Sequence, residues 1–158
     1  MFSPFAPWTA AGDPHEQMVS VVFTYWACRT VFAVADLSIA DHLADGSLTA
    51  VEVAAREGVH PDTTPRLMRA GIAVSLLTEG THGRFTSTPL LDALRRADPR
   101  SPRPFVLSAL GEWMPWKDFT SGLRTGVTPS RAMQGGDGFQ YSAARSCRLT
   151  AARHRTMS

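Results

Sequence analysis

Residues 62–88 read DTTPRLMRAGIAVSLLTEGTHGRFTST, and within this stretch the hydrophobic pattern passes from a helical period to a strand-compatible one. After His60-Pro61, Asp62 is a candidate N-cap, and Pro65 is tolerable because it falls in the first turn, where its missing amide hydrogen has no helical partner. Leu67, Met68, Ala70, Ile72, Ala73, Val74, Leu76 and Leu77 then predict a packing helix from Asp62 to about Leu77. Residues 78–88 place two short β-capable pieces around Gly80 and Gly83, which predicts a hairpin.

Upstream, Thr49 can cap a short helix through Arg56, with Glu52 completing a capping box and Gly58 ending it. Helical patterning begins earlier still, at Asp13, with Pro14 in the first helical position; residues 30–43 continue as helix to a stop at Gly46. Helix, helix, longer helix and hairpin is the order of a winged helix-turn-helix. The expected fold is mainly α and winged-helix-like, with a small hairpin wing and additional helices. The expected divisions are an irregular arm at 1–12, the winged body at 13–96, a proline-rich linker at 97–104, an aromatic-rich helical region at 105–141 and an arginine-rich tail at 142–158. Pro115 marks a break in the helical region, and the glycines at 135, 136 and 138 read as a turn.

The first helix is apolar on two sides. Val19, Val22, Phe23 and Trp26 form one face at helical spacing, and Met18, Val21 and Tyr25 form a second. Two apolar faces need two surfaces to bury against, and in so short a chain the second surface is expected to be another subunit. Met18, Val19, Val22, Phe23, Tyr25 and Trp26 are the predicted interface residues.

Composition narrows the function classes. The 158 residues are 44% hydrophobic and 19% charged, within the range of one globular domain. Cys28 and Cys147 are too few for a disulfide framework and lie in no metal-binding spacing, so a reduced, cytoplasmic protein without a metal is expected. No stretch is expected to reach the roughly 18 apolar residues that a membrane span needs, so a soluble protein without a membrane partner is expected. The net charge of +2 hides an asymmetry, because all 14 acidic residues lie at or before Asp137 while the tail carries four arginines and no acid. The body is therefore net acidic, which opposes phosphate binding.

No catalytic constellation is legible. The five histidines are scattered, and the adjacent pairs His15-Glu16 and Asp41-His42 would point about 100° apart on a helix. The glycine-rich stretch lacks a preceding strand, and none of the common hydrolase, metalloprotease or phosphate-loop motifs occurs. A DNA-recognition helix must present polar and basic side chains to the major groove; here only Arg66, Arg69 and Ser75 are available, and the wing offers Arg84 alone. A small winged-helix DNA-binding regulator remains the alternative reading.

The ordered segments 35–46 (ADLSIADHLADG), 48–55 (LTAVEVAA), 64–79 (TPRLMRAGIAVSLLTE) and 83–91 (GRFTSTPLL) resemble plant-type and bacterial antibiotic-pathway O-methyltransferases. In that family this region is a winged-helix-like dimerisation domain that does not bind DNA. Residues 113–126 (WMPWKDFTSGLRTG) resemble the tryptophan-bearing helix that lines the acceptor pocket, and the similarity spans most of 15–141. The resemblance implies pocket positions at Trp113, Met114, Trp116, Phe119 and Met157, and a small aromatic acceptor. It also implies S-adenosylmethionine as cofactor of the complete enzyme, although no cofactor-binding or catalytic residue has a counterpart here. The implied partner is a second copy of this chain or a full-length methyltransferase. Departures occur at Gly71 and Ser75, which predict looser local packing, and in residues 142–156, which diverge from the family pattern.

Overall fold

A 23-residue helix, α1 (Pro14–Asp36), starts where local chemistry dictates. Asp13 is extended, its carboxylate accepts from the His15 amide at 3.2 Å, and Pro14 takes the first turn. The computed structural model describes residues 13–111, 117–128 and 131, and the chain forms two compact units, Met1–Arg103 and Pro104–Ser158. The arm at 1–12, the tail at 142–158, the glycine-rich turn at 135–138 and Cys147 lie outside the described residues.

The expected continuation of the first helix to Leu43 is corrected. Helix α1 ends at Asp36, Ser38 adopts a left-handed φ of 54°, and a separate four-residue helix, α2 (Ile39–His42), follows. The break lets Ile39 and Ala40 turn into the same core as Val34 and Ala35, all four buried. A straight helix has one core-facing stripe and could not serve both segments.

After strand β1 (Leu48–Thr49) comes α3 (Ala50–Glu57), with the capping box that the sequence predicts. The Thr49 hydroxyl accepts from the Glu52 amide at 3.2 Å, and the Glu52 carboxylate accepts from the Thr49 amide at 2.7 Å. Gly58, at φ 71°, ends the helix in the left-handed conformation that glycine alone adopts without cost.

Helix α4 (Thr64–Ala73) is shorter at both ends than predicted. Its N-cap is Thr63 and not Asp62, because residues 60–64 form a turn around the His60 carbonyl, which accepts from the Thr63 and Thr64 hydroxyls at 3.1 and 2.9 Å. At the other end Ser75 takes φ 61°, and Leu76 and Leu77 leave the helix to become buried at the start of the sheet. The looser packing expected at Gly71 is also corrected. A Cβ there would lie 2.8 Å from Leu77 Cδ1, so only glycine lets the helix and strand approach this closely.

The hairpin is present as β2 (Leu77–Glu79) and β3 (Arg84–Ser87), antiparallel with Leu77 opposite Ser87 and Glu79 opposite Phe85. A third strand was not legible, since β1 is two residues long and pairs with β3 only after the chain has folded; the sheet order is β1-β3-β2. Thr88 then closes the body by capping α5 (Pro89–Asp92) while its hydroxyl reaches the Ser75 and Leu76 carbonyls at 2.9 Å. Ile39, Met68, Leu77, Leu91, Val34 and Val53 fill the centre of this unit. In the second unit, α6 (Arg103–Gly111) begins inside the expected linker, and α7 (Phe119–Thr125) ends at Gly126, φ 72°.

Candidate dimer interface

The two ends of α1 differ in what covers them. Val34 and Ala35 are buried, and the helix packs on α4 and α2. Further toward the N-terminus, Met18 is 64% exposed, and Val19, Val22, Phe23, Tyr25 and Trp26 are all exposed as well. Residues 17–28 read QMVSVVFTYWAC, three turns of helix without a charge. The rings support one another, with Phe23 and Trp26 centroids 4.9 Å apart and Tyr25 and Trp26 6.4 Å apart, both tilted. Arg29 lies over the Phe32 ring at 4.8 Å.

The hydroxyls of this segment, and that of Thr30 just beyond it, do little to wet it. The Ser20 hydroxyl donates to the Glu16 carbonyl at 3.0 Å, Thr24 to Val21 at 2.5 Å, and Thr30 to Trp26 at 2.9 Å. Hydroxyls satisfied by their own helix present mainly carbon outward. For the same reason α1 is long and apolar enough, by length and composition, to cross a membrane. The expectation that no stretch is apolar enough for a membrane span is thereby corrected: Ser20, Thr24 and Thr30 interrupt the apolar residues, yet the helix as a whole passes on length and composition. Fully burying one large apolar side chain is worth roughly 1.5–3 kcal/mol, so six half-covered ones leave a large unrealised stabilisation on this face.

The wing's arginine is engaged within the body. Arg84, the one arginine of the hairpin, donates through Nε to the Ser47 hydroxyl at 3.1 Å and pairs with Glu52 at 3.4 Å. The two hydrogen bonds from Thr49 hold the Glu52 carboxyl below its usual pKa, helped by Arg84 and Arg56 and opposed by desolvation. On α4, Met68 and Gly71 face the core, and Arg66 and Arg69 are exposed. His42 does not act with its neighbour Asp41. Its Nε2 lies 2.7 Å from Glu57 Oε2, tying α2 to α3 across 15 residues, a pairing that no local pattern announces.

Of the pocket positions implied by resemblance, Phe119 lies exposed at the start of α7. Trp113, Met114, Trp116 and Met157, together with the break at Pro115, lie outside the described residues. Exposed apolar side chains that the sequence does not mark by any period include Val51 on α3, Leu90 on α5, Phe105 on α6, Leu123 on α7 and Val127 just beyond it.

A winged helical body carrying a long helix with an uncovered apolar face defines a domain built to associate. Residues 19–96 match the family described as the O-methyltransferase dimerisation domain, and this part of the chain belongs to that family. The match takes in every interface candidate except Met18, one residue before it. A phenazine O-methyltransferase from Lysobacter antibioticus is 29% identical over 127 residues, covering 80% of this chain and 37% of the relative. An 8-amino-8-demethylriboflavin N,N-dimethyltransferase from Streptomyces davaonensis is 37% identical over 105 residues, covering 61% of this chain and 28% of the relative. Among solved structures, that of LaPhzM is similar with a TM-score of 0.77 at 28% identity, over 86% of this chain and 42% of that one. The chain thus spans well under half the length of the proteins it matches.

Proposed function

We propose that this chain pairs subunits of a small-molecule O-methyltransferase through α1 and contributes one wall of its acceptor pocket. The observation that carries the reading is the uncharged segment 17–28, whose large apolar side chains stay exposed within a dimerisation-domain family match. The partner is a second copy of this chain or a full-length methyltransferase. Trp113, Met114, Trp116, Phe119 and Met157 line the pocket for a small aromatic or polyketide acceptor, and the protein works in the cytoplasm. Neither nucleic acid nor a membrane is a partner. The engagement of Arg84 with Ser47 and Glu52 supports the first point, and the match of residues 19–96 to a dimerisation domain supports the second.

The 158 residues alone do not transfer a methyl group. Transfer needs donor and acceptor held at near-attack distance and, for a hydroxyl, a base to take its proton. Light scattering on the purified chain at micromolar concentration is expected to give the mass of a dimer, without sequence-selective binding to duplex DNA. Calorimetry with S-adenosylmethionine is expected to show no micromolar binding, and a radiolabelled methyl-transfer assay with polyphenolic acceptors no turnover. A folded monomer would overturn the pairing reading, and donor binding or turnover would overturn the division of labour.

A further inference from the structure

The break between α1 and α2 occurs in a sequence that does not ask for one. Residues 35–43, ADLSIADHL, contain neither glycine nor proline and suit an uninterrupted helix. In such a helix the Ala35 carbonyl would accept from the amide of Ile39. Instead it takes the Ser38 amide at 3.2 Å and two donors from a side chain 68 residues away, Arg103 Nε at 2.9 Å and Nη2 at 2.7 Å. Arg103 is 8% exposed, and its Nη2 also lies 3.3 Å from the Ser38 hydroxyl. Arg96 donates to that same hydroxyl, while its backbone amide donates to Asp41 at 2.9 Å and its guanidinium pairs with Asp41 at 3.5 Å.

We propose that Arg103 is a positioning residue for subunit pairing: it holds the α1/α2 break open and thereby sets the direction in which α1 leaves the body. This rests on the reading of α1 as the pairing helix. Three features support it. The last turn of α1 has no basic residue of its own, so the negative end of a 23-residue helix dipole is met by Arg103. A planar guanidinium can serve the Ala35 carbonyl and the Ser38 hydroxyl together, which a lysine ammonium at one point cannot match. Ser38 sits in a left-handed conformation unfavourable to an L-residue, so without the clamp the chain gains by straightening through it. Ile39 and Ala40 are locked in the core, as are Val34 and Ala35 where α1 meets α2 and α4, so what changes is the direction of the exposed length of α1 ahead of Val34.

The test uses the full chain with Cys28→Ser and Cys147→Ser, spin-labelled at His15→Cys in the exposed first turn of α1 and at Ala55→Cys on α3, diluted with unlabelled protein so that distances within one subunit dominate. With Arg103 intact, pulsed electron resonance should give one narrow distance. Arg103→Met should broaden or shift it and raise the dimer dissociation constant roughly tenfold or more, on the scale of losing hydrogen bonds to a charged donor. Arg103→Lys, which keeps the charge and is the safer variant for folding, should also broaden the distance. Arg100→Met, at an exposed arginine that pairs only locally with Asp98, should leave distance and dimerisation unchanged. A folded Arg103→Lys or Arg103→Met protein with the original narrow distance overturns the clamp. If the unmutated chain proves monomeric, the pairing reading fails, and the distance measurement still decides whether Arg103 directs α1.

Discussion

The winged body and residues 17–28 of α1 are equally helical in pattern, yet they stand in opposite relations to water. In the body, Val53, Met68, Leu77 and Leu91 are at most 1% exposed, and caps such as Thr49 and Thr88 satisfy the ends of their helices. In α1, Phe23 and Trp26 are more than half exposed, and no charge interrupts residues 17–28. Local geometry makes both regions. Only the body completes its core within one chain, and this difference is what directs the proposed pairing to α1.

The largest effects should fall on one side of this comparison at a time. Replacing Val22 and Phe23 together by Asp places two charges on the uncovered face, and should raise the dimer dissociation constant by roughly 100-fold or more, each lost burial being worth about 1.5–3 kcal/mol. Circular dichroism and the melting temperature of the dilute protein should change little, because neither side chain belongs to the body's core. The reverse case is Met68→Ala, expected to cost about 2–5 kcal/mol of folding stability and to be read as a lower urea midpoint. Dimerisation of the fraction that stays folded should be spared.

Gly71→Ala sharpens the contrast further. The new methyl would meet Leu77 Cδ1 at 2.8 Å, and overpacking of this kind costs about 1–3 kcal/mol. A loss of stability there, measured by thermal unfolding, would confirm that helix and strand are in tight contact; a gain would indicate slack. Smaller again is Thr49→Ala, which removes the capping box at about 1 kcal/mol.

The smallest effect is a pH dependence. Glu52 has a pKa in the fold below the ordinary value of a glutamate carboxyl, held there by its hydrogen bonds from Thr49. A carboxyl with a depressed folded pKa contributes its stability in full above its unfolded value, and that contribution is lost as pH falls through the folded value. The melting temperature of the native protein should therefore decline below about pH 4.5 somewhat more steeply than that of Glu52→Gln. Equal slopes would separate the Thr49 and Arg84 contacts from any role in stability.

Much of the body could be read from residues alone, because its signals are local. Thr49 with Glu52, Gly58, and the glycines around the hairpin each act within a few positions, and their elements fall where expected. The misreadings concern contacts made across the fold. The Ser38 break depends on Arg103 and Arg96, β1 exists through its pairing with β3, and α4 stops at Ala73 because Leu76 and Leu77 are drawn into the core beside Gly71. No local period records a partner that lies 37 or 68 residues away, as Ser47 does for Arg84 and Ala35 for Arg103. The interface candidates were legible for the opposite reason. Residues 17–28 lack charge within the segment itself, and that deficit needs no tertiary knowledge to see.

Hydrogen–deuterium exchange followed by mass spectrometry, over a dilution series from high micromolar to low nanomolar, compares the two regions in one experiment. If α1 is held by a second subunit, peptides covering 17–28 should be protected at high concentration and exchange progressively faster on dilution, while peptides covering 48–54 and 66–72 keep the same rates throughout. Exchange in 17–28 that does not change with concentration, in a chain whose mass remains that of a monomer, would contradict the account.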